Sequence, residues 1–364
     1  MSTLRVDSIE NGGAAVNFTT DLAIGAGTAI REYYAQSGEP SGAGNGAVWW
    51  DTTNSVYKLR IEGEWYTVEL ITPPPPFAGD TAVFAGGGAS LNVMDSASIP
   101  TPANATDFGD LTVARYNLAG VSNSTRGVWG GGRVGATAQN VIDYITFATA
   151  GNAIDFGDFT TTNQSSAACS DGTRGLFSRS GSPTQNVVEY ITIATTGNAL
   201  DFGDLTSARQ ILAACADVTR GLFAGGADGS FTNQNAIDFF TIATTGNATS
   251  FGTLVQATRY LAGCSDGVYG FFCGGSATGI GRTNQIQYVT IATLGNAVDF
   301  GDLVEIVEGL AACTNGTTAV TGGGSEGAMS INRMDKFATK TLGNATDFGD
   351  LTVARQDLAA ASGN

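Results

Sequence analysis

The sequence predicts an all-β protein in which a six-bladed β-propeller follows a small β-rich N-terminal domain. Three observations predict this fold. One sequence unit recurs with a period of 46 to 49 residues, each copy contains runs with the composition of short strands, and the end of the chain supplies the run that the first copy lacks. Four-stranded sheets repeated at such a period are typical of propeller blades, and no amphipathic helix interrupts them.

The repeat is anchored by a tract related to Asn-Ala-x-Asp-Phe-Gly-Asp. Its phenylalanine recurs at Phe108, Phe156, Phe202, Phe251, Phe300 and Phe348, with spacings of 48, 46, 49, 49 and 48 residues. In one copy, the predicted strands cover 212–215, 221–226 and 235–244, and the phenylalanine tract provides the fourth. Each run is rich in Ile, Thr, Phe, Tyr or Val and is bounded by Gly, Asn or Asp.

The two ends of the repeat region complement each other. The first copy begins at Thr81 without a first strand, and residues 354–361 provide that strand and nothing more. Three strands from the front and one from the back therefore complete the sixth blade. Such a clasp removes open sheet edges, and the predicted propeller covers residues 77–364.

The repeat resembles the kelch family at several positions. A Gly doublet follows an aromatic residue, an aromatic residue lies in the third strand, and an arginine leads into the next unit. These residues are Phe84, Trp129, Phe223 and Phe272; Tyr144, Tyr190, Phe239 and Tyr288; and Arg115, Arg209, Arg259 and Arg355. The resemblance implies a propeller over residues 77–364.

Residues 1–72 lack the repeat. They open with Leu-Arg-Val-Asp at 4–7 and contain Gly-Ala-Val-Trp-Trp-Asp-Thr-Thr-Asn at 46–54, and residues 46–66 predict two or three short strands. Both stretches resemble the attachment regions of tailed-phage fibre and appendage proteins. The resemblance implies docking on a particle, for which the candidate contacts are Leu4, Val6, Ile9, Trp49, Trp50 and Trp65. Four prolines at 73–76 predict a semi-rigid spacer before the propeller.

The charge of the chain limits its partners. Seventeen basic and 33 acidic side chains give a net charge of −16, which disfavours nucleic acid and anionic membranes. Residues 2–11 have no apolar core, and no run approaches the roughly 20 apolar residues of a membrane span. These features fit a protein that lysis releases within a particle and predict no membrane insertion.

Four cysteines share one repeat position: Cys169, Cys215, Cys264 and Cys313. The other copies carry Val121 and Ala361 there. A ring of thiols that binds a metal is one interpretation. The alternation with Val and Ala favours a small apolar packing site instead, and neither a metal nor another cofactor is predicted.

Paired aspartates flank the Phe-Gly of the tract in five of the copies. Oxygen ligands with this spacing can hold calcium, but Asp also satisfies backbone amides in tight turns. Recurrence in nearly every copy favours a scaffold role. The acidic residues of the third strand are Asp143, Glu189, Asp238 and Asp335, and the sequence leaves open whether they pair with the recurring arginines.

The sequence predicts no catalytic residues. It contains no histidine, which excludes Ser-His-Asp and Cys-His catalysis and His-ligated copper. A carboxylate-dependent glycan hydrolase is the remaining enzymatic alternative.

The connections between second and third strands differ in length and chemistry from copy to copy. They are expected on one face of the propeller, where they can contact a partner. Candidate contacts are Arg133, Arg179, Asp228, Phe231, Arg282, Glu326 and Met329. The sequence thus predicts a phage virion protein that docks on tail proteins through residues 1–72. Its propeller is expected to bind a host-surface glycan or protein. The protein is expected to be an oligomer, and the resemblance to fibre attachment regions implies a trimer. A purely structural decoration protein of tail or capsid is the alternative.

Overall fold

The computed structural model describes residues 4–6, 33–36, 38–43, 47–51, 56–61, 64–70 and 78–364 except Ser182. The chain divides into two compact units, Met1–Pro73 and Pro74–Asn364. The described residues form strands and connections without a helix, as the sequence predicts for an all-β protein.

The N-terminal unit contains a five-stranded sheet. In spatial order its strands are Leu4–Val6, Glu64–Leu70, Val56–Ile61, Val48–Asp51 and Tyr33–Gln36. The three central strands are antiparallel, whereas each outer strand is parallel to its neighbour. The short strands predicted within 46–66 are confirmed, and the turns between them lie outside the described residues.

The second unit contains six antiparallel sheets built on four main strands each among its described residues, here named sheets I to VI, and sheet II has the short strand Arg133–Val134 as a fifth. Their strands, from first to fourth, are as follows. Sheet I has Ala359–Gly363, Thr81–Ala85, Val93–Ser98 and Thr106–Asp110, and sheet II has Ala119–Ser122, Arg126–Gly130, Thr137–Thr146 and Ile154–Asn163. Sheet III has Ala168–Ser170, Arg174–Ser178, Val187–Thr192 and Leu200–Asp204, and sheet IV has Ala213–Ala216, Arg220–Ala224, Ala236–Thr241 and Thr249–Thr253. Sheet V has Ala262–Ser265, Tyr269–Cys273, Gln285–Thr290 and Val298–Asp302, and sheet VI has Ala311–Thr314, Thr318–Gly322, Arg333–Ala338 and Thr346–Asp350.

Short two-residue strands lie in the connections between these sheets' longer strands. They are Arg133–Val134, Thr258–Arg259, Ser276–Ala277, Gly281–Arg282, Ser325–Glu326 and Met329–Ser330.

Sheet I is assembled from distant parts of the sequence. Its first strand pairs with its second in an antiparallel register that matches Ala359 with Ala85 and Gly363 with Thr81. The strand that the first copy lacks is therefore supplied from residues 359–363, as the sequence predicts.

A β-bulge explains the Phe-Gly pair of the repeated tract. In sheet I, Met94 pairs with Gly109 and Asp95 pairs with Asp107, so that Phe108 is left between two paired residues. The same register shift occurs in all six sheets. Phe108 is buried, and Gly109 has a φ of 146° and lies against the carbonyl of Gly151 in the next sheet. The bulge thus turns an aromatic ring inward where two sheets meet.

The six sheets contact one another in sequence. The first strand of each sheet contacts the first strand of the next, and the first strand of sheet VI contacts that of sheet I. The apolar cores lie between neighbouring sheets: Phe108 of sheet I and Trp129 of sheet II, for example, belong to one cluster. Among the described residues, no hydrogen-bonded sheet closes on itself.

Candidate functional site: the variable face

The acidic tract joins neighbouring sheets. The backbone N–H of Asp110 donates to the Asn152 Oδ1 of the next sheet at 3.1 Å. The equivalent bonds join Asp158 to Asn198, Asp204 to Asn247, Thr253 to Asn296, Asp302 to Asn344 and Asp350 to Asn104. The repeated Asn side chain is therefore used by the scaffold at all six junctions, whereas the position that it binds contributes only its backbone N–H, as the copy with Thr253 shows.

Three of the recurring arginines form buried ion pairs across sheet junctions. The pairs are Arg115 with Asp143 at 2.9 Å, Arg209 with Asp238 at 2.6 Å, and Arg355 with Asp95 at 2.9 Å. Each arginine follows the fourth strand of one sheet and reaches the third strand of the next. The question that the sequence left open is thereby answered for these junctions.

The other three junctions lack the arginine, and two of them also replace the aspartate. Asn163, Thr258 and Val307 occupy the arginine position, and Glu189, Gln287 and Asp335 occupy the carboxylate position. At the junction of sheets IV and V both residues are neutral, and the Gln287 Oε1 accepts a hydrogen bond from the Val255 backbone at 2.7 Å.

Asp335 occupies the carboxylate position of its junction, but the preceding sheet supplies no arginine to pair with it. It pairs instead with Arg333 of its own strand at 3.1 Å. Burial raises the pKa of Asp335, and the charge of Arg333 opposes that shift. This junction therefore carries a carboxyl group whose ionisation the fold disfavours.

The assignment of Arg259 to the junction arginines is wrong. Thr258 occupies that position, and Arg259 lies one residue further along, where its guanidinium donates to the Phe231 carbonyl at 3.0 Å. The spacing from Phe251 to Thr258 equals that from Phe202 to Arg209, so Arg259 occupies the next position of the copy and its side chain lies in the connections rather than in the sheet junction.

The aligned cysteines pack against glycines of the next sheet. A Cβ added to Gly221 would lie 2.8 Å from the Cys169 Sγ, and one added to Gly175 would lie 2.7 Å from Val121. All five cysteines are free and buried, and burial raises the pKa of Cys169 and Cys215. These contacts support the interpretation of this position as an apolar packing site. The first strands also line a cavity of about 70 Å³.

Two sets of connections share one face of the second unit. In four of the six sheets, the connection between the second and third strands pairs with the segment that enters the first strand of the same sheet. The pairs are Tyr116 with Arg133, Gln210 with Ala227, Arg259 with Ser276, and Glu308 with Ser325. We call this surface, made of these connections and entering segments, the variable face.

Most charged candidates on the variable face hold the connections in place. Arg282 pairs with Glu308 at 2.7 Å and Glu326 pairs with Arg333 at 2.8 Å. The Arg179 Nε donates to Gln185 at 2.6 Å. The Asp228 Oδ1 accepts backbone N–H groups of its own loop at 2.9 and 3.0 Å. These four candidates are engaged within the face itself.

The apolar candidates are exposed. Phe231 is 56% and Met329 is 74% exposed, and Ile280 and Val134 occupy comparable positions in their own connections at 61% and 39%. Four of the six connections thus present an apolar side chain to solvent.

Six residues at the centre of the variable face form a closed circuit of backbone hydrogen bonds. They are Asn117, Ser165, Ile211, Tyr260, Gly309 and Asp357, and all have φ between 53° and 67°. Each N–H donates to the carbonyl of the preceding member at 2.7 to 3.1 Å, and Asn117 donates to Asp357. We call them the ring residues. The circuit holds one position from each junction in a fixed arrangement.

Sequence reasoning missed the ring residues, although a signal was present. Each follows the position of the junction arginine by two residues, and five of the six are followed directly by the leucine that comes just before the next first strand. Within that fixed frame the residue differs in every copy. The same logic that selected the variable connections would have selected these six positions.

Charged groups converge on one of the ring residues. Burial raises the pKa of Tyr260, Asp357 and Glu308 add to the shift, and Arg259 and Arg133 oppose it. The Asp357 carboxylate leans over Gly309, where an added Cβ would lie 2.9 Å from its Oδ1.

The N-terminal candidates take part in the packing of their own unit. The rings of Trp49 and Trp65 meet edge to face at 5.5 Å, and the Trp65 Nε1 donates to Glu39 at 3.1 Å. Trp49 is only 5% exposed. Leu4, Val6 and Trp50 lie in strands, but their side chains are outside the described part, and Ile9 is outside the described residues altogether.

Comparison with known proteins identifies no family for the chain. No protein-family model matches it, and a search of curated proteins finds no match. In the described part of the chain, no segment is a helix with the length and apolarity of a membrane crossing.

Proposed function

We propose that residues 74–364 form a six-bladed β-propeller that a phage particle presents to its host, with residues 1–72 docked on the tail. The circuit of contacts between first strands and the circuit of hydrogen bonds between ring residues support the propeller, because both pass once through all six sheets. The resemblance of residues 4–7 and 46–54 to phage attachment regions supports the location on the virion.

One observation carries the proposed recognition role. The contacts that join neighbouring sheets repeat around the unit, whereas the side chains of the variable face differ from copy to copy. A scaffold needs the first property only. A surface that recognises an irregular ligand needs both, because a rigid frame positions non-identical groups at little entropic cost.

Adhesion is tested with the full-length protein, fluorescently labelled and mixed with a panel of bacterial strains. We expect saturable binding to some strains that Phe231→Asp and Met329→Asp each weaken. Leu342→Asp is the matched control, because Leu342 is 63% exposed and lies at the other end of sheet VI, between its third and fourth strands. Equal effects of all three substitutions would refute a role for the variable face.

A second function, decoration of the particle, is favoured by the four exposed apolar residues of the connections. Apolar side chains at exposed tips are suited to burial against a neighbouring subunit. In that case Met329→Asp should reduce incorporation of the protein into particles, and the labelled protein should bind no strain. Release of sugars from the bacteria, measured in the same samples, tests the glycan hydrolase alternative.

A further inference from the structure

The arginines of the variable face fall into two groups. Arg282 and Arg333 are each paired with a glutamate, at 2.7 and 2.8 Å respectively. Arg133, Arg179 and Arg259 have no acidic partner among the described residues, although the chain has a net charge of −16. Of these three, Arg179 is bonded to Gln185 at 2.6 Å, whereas Arg133 and Arg259 lie over tyrosine rings. In a strongly acidic protein, arginines that remain without a carboxylate on the most variable surface require an explanation.

The two arginines are held in similar ways. The guanidinium of Arg133 lies over the ring of Tyr116 with its Cζ 5.8 Å from the ring centre, and that of Arg259 lies over Tyr260 at 5.7 Å. The Nε of each is buried without a hydrogen-bond partner. Stacking on an aromatic ring orients a guanidinium and leaves its edge available to an anion, although one terminal nitrogen of Arg259 already donates to the Phe231 carbonyl at 3.0 Å.

Both arginines lie beside the ring residues. Arg133 pairs through its backbone with Tyr116, which precedes the ring residue Asn117, and the Asn117 N–H donates to the Asp357 carbonyl at 2.8 Å. Arg259 directly precedes the ring residue Tyr260, which is joined to Asp357 through Gly309. The charges of both arginines and of Asp357 act on the Tyr260 hydroxyl, in agreement with this placement.

We propose that Arg133 and Arg259, with Tyr260 and Asp357, form a binding site for a sugar that carries a carboxylate. The inference rests on the proposed adhesion function and names the ligand class of that face. Guanidinium groups bind carboxylates through paired charge-assisted hydrogen bonds, and Asp357 accepts hydrogen bonds from hydroxyl groups. The Tyr260 ring offers an apolar surface to the sugar. Asp357 opposes a multiply charged phosphate, which distinguishes an acidic sugar from a phosphorylated ligand.

The ring residues explain how such a site is kept in shape. Tyr260 and Asp357 flank Gly309 in the hydrogen-bonded circuit, so that no side chain stands between them. Their backbones are fixed to one another through Gly309 at 2.9 and 2.7 Å. The site is therefore organised before a ligand arrives, which reduces the entropic cost of binding.

The test uses the full-length protein and oligosaccharides of galacturonate, glucuronate and mannuronate, each compared with its methyl ester in isothermal titration calorimetry. We expect at least one acid to bind, its ester to bind about tenfold or more weakly, and added salt to weaken binding of the acid. Arg133→Gln and Arg259→Gln should each cause a similar loss. Arg179→Gln is the matched control, because Arg179 lies on the same face and is bonded to Gln185.

Three outcomes separate this inference from the proposed function. Equal binding of acid and ester, or full binding by both arginine variants, overturns the acidic-sugar site. Absence of binding to every acid also overturns it. If the protein still binds cells in the strain panel, the proposed adhesion function is retained and only the acidic-sugar site is refuted. Thermal melts of each variant control for folding, since neither arginine belongs to a buried pair.

Discussion

The ion pair between Arg209 and Asp238 can be replaced by the neutral pair that another junction already carries. We predict that Arg209→Thr and Asp238→Gln each destabilise the protein strongly and that the double substitution recovers much of the loss. The design copies Thr258 and Gln287 from the junction of sheets IV and V. The double substitution therefore introduces at this junction the residue pair that the chain already has at the equivalent positions of another junction.

The magnitude follows from the contacts of the pair. Arg209 donates to the Gly225 and Ala236 carbonyls at 2.8 and 2.7 Å and to Asp238 at 2.6 Å, and both charged side chains are buried. Removing one partner leaves an uncompensated buried charge, which costs about 3–5 kcal/mol. The double substitution removes both charges, so its cost should fall below the sum of the single ones by about 2 kcal/mol or more.

Urea unfolding followed by far-UV circular dichroism measures the wild type, both single variants and the double variant. Thr206 donates to Asp238 at 2.7 Å in the wild type. It is unchanged in the double variant, where it can bond to the glutamine at position 238. Additive losses would refute the reasoning, because they would show that the two positions do not act as a unit.

Three further changes test the packing, charge and backbone of the second unit. Gly221→Ala should cost about 1–3 kcal/mol because of overpacking against Cys169, and Cys169→Ala in the same chain should restore part of the urea midpoint. Asp335→Asn should flatten the pH dependence of stability. Because the pKa of Asp335 is raised in the folded protein, the protonated carboxyl stabilises the fold below the unfolded pKa, and this stabilisation is lost as the pH rises through the folded pKa. The melting temperature of the variant relative to the wild type should therefore increase from about pH 3 to about pH 7. Ile211→Asn should raise the melting temperature, since a branched residue at φ 60° is strained by about 1 kcal/mol and Asn117 has that conformation at the equivalent position; a lower melting temperature would contradict this account.

The sequence predicts the strands well because each copy of the unit meets the same environment. The spacing of Phe108 and its five equivalents locates the fourth strands, and the missing first run of the first copy predicts the strand at 359–363. Neither inference depends on side-chain geometry. Repetition also identified Cys169 as a packing residue, since only a small apolar side chain fits against a glycine.

What the sequence did not predict depends on exact position within the copy and on backbone conformation. Arg259 was grouped with the junction arginines although it lies one position later in its copy, where Thr258 occupies the junction position. The ring residues were missed because their common property is a left-handed φ, which isoleucine and tyrosine, found here at Ile211 and Tyr260, rarely adopt. The variability of the connections also suggested Arg282 and Glu326 as contacts, although each is paired within the face.

The composite sheet I has a consequence for the order in which the protein folds. Arg355, just before the first strand of that sheet, bonds to Phe84 in the second strand across 271 residues of sequence. The other five sheets can form from neighbouring segments as the ribosome releases them, but sheet I must wait until residues 359–363 have been synthesised. Closing so long a loop is slow, and the edge of Thr81–Ala85 remains open in the meantime. Translation speed and chaperone access during that interval should therefore influence the yield of folded protein more than the stability of any single sheet.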